Sequence, residues 1–163
     1  MGDDRRVGVA VDFSSGSTEA LRWTVDNLVR KGDSLILICI LPNAYYEEGE
    51  MQLWETTGSP FIPLTDFASP VTMKKYGVTP GSATLDIVNK ADRDKEIMVL
   101  AKIYWGDPRE KLIEAIDTIP LTCLVMGSRG LGTIKRAIMG SVSNYVVSNA
   151  SCPVTVVKHS PPK

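Results

Sequence analysis

Short apolar runs bounded by turn residues recur along the chain with helical patterns between them, and no other feature constrains the fold as much. A strand that reaches the next strand through a helix re-enters the sheet in the same direction, so the sheet is expected to be mainly parallel. Arg6–Val11, Leu35–Leu41, Ile97–Ile103, Leu121–Met126 and Val154–Val157 read as five strands. Leu35–Leu41 is too continuously apolar to be half exposed and belongs at the centre of the sheet. Between the strands lie about four helices. The first is capped by Ser14, Ser15 or Ser17, buries Leu21, Val25, Leu28 and Val29, and closes at Gly32. The second opens at Thr79-Pro80 with Leu85, Val88 and Ala91 as its stripe, and the fourth covers Val142–Asn149. In the third, Asp107-Pro108-Arg109-Glu110 places a cap, a first-turn proline and an acidic residue in capping-box order, ahead of Leu112, Ile113 and Ile116. The expected architecture is α/β: a single doubly wound domain over residues 1–163, with an irregular insertion at about 42–80 where Pro60, Pro63, Pro70 and Gly58 break any period. Tyr45, Tyr46, Trp54 and Phe61 give that insertion apolar anchors.

Composition removes several function classes. The 18 basic and 19 acidic residues leave a charge of -1, without the basic excess of a general nucleic-acid binder. The only histidine, His159, sits beside Pro161 and Pro162 near the C-terminus, which excludes a buried histidine base and the nucleophile-histidine pairs that depend on one. Cys39, Cys123 and Cys152 lack any CxxC spacing and lie in or beside apolar runs, so they read as packed, reduced thiols. Residues 137–157 carry no charge, but seven Ser, Thr or Asn residues and Pro153 make this a helix, turn and strand and not a membrane span. The first residues contain no apolar leader, and a cytoplasmic location is expected.

The segment with the most chemistry is Gly127-Ser-Arg-Gly130-Leu-Gly132, which follows the strand LTCLVM and leads to Gly140-Ser141. Glycine lets backbone N–H groups close on an anion, and a helix N-terminus behind them adds roughly half a positive charge. Ser141 can cap that helix or donate to a phosphate oxygen, with Arg129, Lys135 and Arg136 nearby as cations, although charged residues in such a loop are more often solvated. The alternative is that these glycines only make turns. Neither GxxxxGK[ST] nor GxGxxG is present.

Gly127, Gly130, Gly140 and Ser141 fall at the spacing G, two residues, G, nine residues, G and then S or T, and on this the chain resembles the nucleotide-binding branch of the universal stress proteins. VAVDFS, YWGDPREKL, GSVSNYVV and CPVTVVK extend the resemblance from Val7 to Lys158, and it is strongest to plant members. The resemblance implies a Rossmann-like sheet binding ATP or AMP at the carboxyl ends of its strands, with magnesium or manganese accompanying ATP. It places Asp12 at the ribose or a metal, Ile40 where backbone meets adenine, Ala10, Val11 and Met126 as pocket walls, and the Val142 N–H in the phosphate cradle. Asp12 has a helix cap as its alternative reading, and the apolar positions read equally as plain core. The resemblance also implies a homodimer through strand 154–157.

Three functions follow from these readings: a nucleotide-binding regulatory protein of stress responses, a slow ATP hydrolase, or an interaction module whose insertion or strand edge binds a partner. No catalytic residue is assigned, because no lysine of a phosphate loop and no carboxylate pair accompanies the glycines. Neither nucleic acid nor membrane insertion is expected.

Overall fold

A computed structural model describes residues 5–41, 54, 56–128 and 140–158. Its sheet holds β1 (Arg6–Ala10), β2 (Ser34–Leu41), β3 (Ile62–Pro63), β4 (Met98–Trp105), β5 (Cys123–Gly127) and β6 (Val154–Val157) in the order β3-β4-β2-β1-β5-β6. Five strands run parallel, and β3 alone is antiparallel, pairing Ile62 with Ala101 and Pro63 with Leu100. The helices are α1 (Ser15–Asn27), α2 (Leu64–Phe67), α3 (Pro70–Lys74), α4 (Ser82–Lys95), α5 (Pro108–Thr118) and α6 (Ser141–Asn149).

Because side chains alternate across a strand, the central strands feed two apolar layers. One face carries Val7, Val9, Leu35, Leu37, Val99 and Ile103 against Ala20, Leu21 and Val25 of α1 and Val88 and Ala91 of α4. The other carries Ala10, Ile36, Ile38, Leu124 and Met126 against Leu112, Ala115 and Ile116 of α5 and Val146 of α6. This two-sided burial is what the unbroken apolar reading of Leu35–Leu41 requires, and β2 lies between β4 and β1.

The single doubly wound α/β domain stands, but six strands and six helices are present among the described residues, in place of five and about four. The additional elements all come from the stretch that proline seemed to break. Pro70 occupies the first turn of α3, where its missing N–H costs nothing, and Ser69 caps that turn by accepting from the Thr72 N–H at 3.3 Å. Ser59 ties the stretch to the sheet: its N–H donates to the Ile103 carbonyl at 2.7 Å, and its hydroxyl accepts from the Ile103 N–H at 2.9 Å. Gly58 has φ +82, and a Cβ there would lie 2.8 Å from the Tyr104 ring, so only glycine lets the chain pass this close. Two boundaries also move. α1 stops at Asn27, which leaves Gly32 (φ +91) to make the turn into β2, and α4 opens after Gly81, not at Pro80. Ser14 and Asp107 are the caps of α1 and α5, accepting from the N–H groups of Ser17 and Arg109.

The amino end of the sheet is fastened by one ion pair. Arg5 donates to both Asp33 oxygens, at 3.1 and 2.6 Å, and the Arg30 N–H adds a bond of 2.8 Å. Burial pushes the Asp33 carboxyl up, but these hydrogen bonds and the Arg5 charge outweigh it and hold the group below its ordinary 3.8. A depressed carboxyl contributes stability above its unfolded pKa and loses it as pH falls through the folded one. Asp33→Asn is therefore expected to cost about 2 kcal/mol at pH 7, and urea unfolding should show the gap from the unsubstituted chain closing as the pH drops below 3.8.

Candidate functional site at the switch point

β1 pairs with β2 on one side and β5 on the other, so chain connections leave it in opposite directions. In open parallel sheets the crevice outside the carboxyl ends at such a reversal is where ligands bind. The register ends at Val9↔Val125, after which Ala10 and Val11 follow on one chain segment and Met126 and Gly127 on the other. On the other side Ala10 pairs with Ile38, and the Val11 N–H donates to the Ile38 carbonyl at 2.9 Å, which puts Ile40 at the same end of the sheet. Ala10, Val11 and Met126 are 1% exposed and belong to the core at this end of the sheet, whereas Ile40 and Asp12 are half-buried.

Asp12 opens the turn into α1. Its Oδ1 accepts from the Ser14 N–H at 3.0 Å while its own N–H donates to the Ser17 hydroxyl at 3.2 Å. Among the described residues it makes no ion pair. Asp12 is therefore not the cap of α1, a role held by Ser14. The following residue, Phe13, takes φ +65, a conformation uncommon outside glycine, and its ring lies 6.5 Å from that of Phe67. No signal in the sequence marked Phe13, because left-handed backbone at a phenylalanine has no compositional trace.

The glycine segment closes on itself. The Gly140 N–H donates to the Ser128 carbonyl at 3.0 Å, and the Ser128 N–H donates to the Val157 carbonyl at 2.9 Å, so Gly127 and Gly140 meet although thirteen positions separate them in the chain. Ser128, given no role in the sequence reading, is the residue that joins them. Gly140 is the N-cap of α6 and offers no side-chain acceptor, and no acidic residue stands in the first turn. The half-buried Val142 and exposed Ser141 thus begin a helix whose leading N–H groups have no side-chain cap among the described residues. A Cβ on Gly140 would sit 4.0 Å from the Val142 nitrogen, in the space those N–H groups face. Such a terminus fits an anion in both hydrogen bonding and charge. Gly130, Gly132, Arg129, Lys135, Arg136 and His159 lie outside the described residues.

The cysteines carry no chemistry here. All three are free, and burial first, with the Asp12 charge second, pushes the Cys39 thiol up to about 12. Burial also raises Cys123 and Cys152. Among the described residues no three His, Cys, Asp or Glu side chains group so as to hold a metal ion, and no helix is long and apolar enough to cross a membrane. Asp12 is a described carboxylate just beyond the carboxyl end of β1.

Strand order and the cluster at the carboxyl ends of β1 and β5 define the class: a doubly wound α/β domain with its crevice at the reversal of the sheet. The chain belongs to the universal stress protein family, whose model matches residues 4–158. It is 32% identical to the universal stress proteins PHOS32 and PHOS34 of Arabidopsis thaliana over 97% of its own length, and spans 66% and 63% of theirs. Its fold is shared by an Arabidopsis thaliana universal stress protein family protein solved with AMP bound, at TM-score 0.58 and 23% identity, with 96% of this chain and 92% of that one covered. It is likewise shared by the Archaeoglobus fulgidus universal stress protein in complex with dAMP, at TM-score 0.57 and 19% identity, with 97% and 100% covered.

An acceptor at position 140 is compatible with the backbone, since φ -60 and ψ 152 suit any residue and a Cβ meets only ordinary contacts. Gly140→Asp should cap α6 and oppose its dipole, which predicts thermal unfolding raised by a few degrees, corresponding to about 0.5–1 kcal/mol, in the absence of nucleotide.

Proposed function

We propose that this chain is an adenine-nucleotide-binding regulatory protein of stress responses, taking ATP or AMP in the crevice between β1 and β5. The observation that carries the reading is the uncapped start of α6, drawn onto Ser128 by the Gly140 N–H and set at the same end of the sheet as Asp12. The phosphates take the N–H groups of Ser141 and Val142 together with the Ser141 hydroxyl, framed by Gly127, Gly130 and Gly140. Asp12 accepts from the ribose hydroxyls. The backbone at Ile40 meets the adenine, with Ala10, Val11 and Met126 beneath it. Support comes from the family and from fold relatives that carry AMP and dAMP.

Calorimetric titration with ATP and AMP is expected to show binding, with the chain's native mass spectrum identifying the nucleotide that copurifies. Asp12→Ala removes acceptors for two hydroxyls and should weaken affinity about tenfold, and Gly140→Asp should abolish it while leaving the fold intact. Unchanged affinity in both variants would overturn the site assignment.

We further propose that β6 pairs with the same strand of a second copy. It is hydrogen-bonded to β5 on one edge, with Pro153 and Val157 accepting from the N–H groups of Leu124 and Ser128. N–H and C=O of one residue point the same way, so Val154 and Val156 present theirs to the opposite edge. Val156→Pro removes an outward N–H and spares the β5 ladder. Sedimentation should then move from dimer to monomer without loss of the far-ultraviolet spectrum.

A further inference from the structure

A hollow of about 490 Å³ lies away from the crevice, between the short helices α2 and α3 and the start of α4. Its volume falls within the range of small-molecule sites. The floor is apolar: Phe67 and Val78, 1% and 5% exposed, with half-buried Leu85 and Pro80 beside them. The gap has a backbone cause. α3 ends at Lys74, Gly77 turns the chain at φ +76, and Pro80 keeps it from rejoining a helix before Gly81. A Cβ on Gly77 would meet nothing within 4 Å, so this wall faces open space.

One charged side chain borders the hollow, that of Lys74. Its neighbour Lys75 is occupied, with the ammonium 5.9 Å from the Trp54 ring centroid and 5.4 Å from that of Tyr76. Lys74 makes no ion pair among the described residues. A single uncompensated cation at the rim of an apolar floor is complementary to a molecule with one anionic end and a hydrocarbon body. We propose that the hollow is a second ligand site and takes a small apolar carboxylate, its chain against Phe67, Val78 and Leu85 and its carboxylate on Lys74. Neither a nucleotide, which carries several charges and a polar sugar, nor a neutral hydrocarbon matches both features.

The test is an amide-resolved NMR titration of the full chain with decanoate. Saturable shifts are expected at Ala68, Gly77, Thr79 and Leu85, along with about tenfold weaker binding by decanol. Lys74→Glu inverts the charge at an exposed position, so it should lose decanoate and acquire decylammonium at the same amides. Thr79→Trp, which fills the rim, should lose both. Absence of saturable shifts, shifts confined to other surfaces, or equal affinities of the Lys74→Glu chain for decanoate and decylammonium would each overturn the proposal.

Discussion

The hydrogen bonding of β1 along both edges is the constraint from which the rest of the structure follows. A strand held between β2 and β5 can leave the sheet only at its end, and the connections on its two sides depart in opposite directions. Ala10, Val11 and Met126 are packed as core at that end of the sheet.

α6 sits at this opening with its first turn unserved. A serine or aspartate at position 140 would have supplied a partner, and its absence leaves roughly 1 kcal/mol of helix stability unrealised. The same chain caps α1, α3 and α5 with Ser14, Ser69 and Asp107. At Gly140 the backbone is instead held from behind by the Ser128 carbonyl, which positions the N–H groups without using them. Position and satisfaction have been separated at this helix, and that separation suits an exchangeable anion.

Much of this was legible in the residues. Apolar runs of the right length marked the five parallel strands, and the Asp107-Pro108 pair marked its helix start, because burial and capping act through residue type at fixed offsets. The glycine spacing singled out Gly127 and Gly140 but not that the Ser128 carbonyl accepts from the Gly140 N–H, since a backbone carbonyl leaves no trace in the side-chain alphabet. β3, α2 and α3 were hidden for a different reason. Proline was read as a breaker at positions where it begins an element, and whether it breaks or begins depends on the neighbours on its amino side, such as Ser69 before Pro70. Phe13 and the Gly58 approach to Tyr104 are tertiary facts, set by partners forty or more positions away.

The two outer edges of the sheet are unequal. On one side β3 lies over β4 for two residues and then meets Pro63, which has no N–H to offer a further strand. On the other side β6 ends the sheet with four residues and unused bonds at alternate positions. A sheet with two open edges can be lengthened without limit, as fibres are. A sheet with one can be lengthened a single time by its own kind, because like edges meeting about a twofold axis place the blunt edges outermost and leave nothing to extend. The two residues of β3 therefore blunt one edge of the sheet, with a proline drawn from the segment of the sequence that looked least structured.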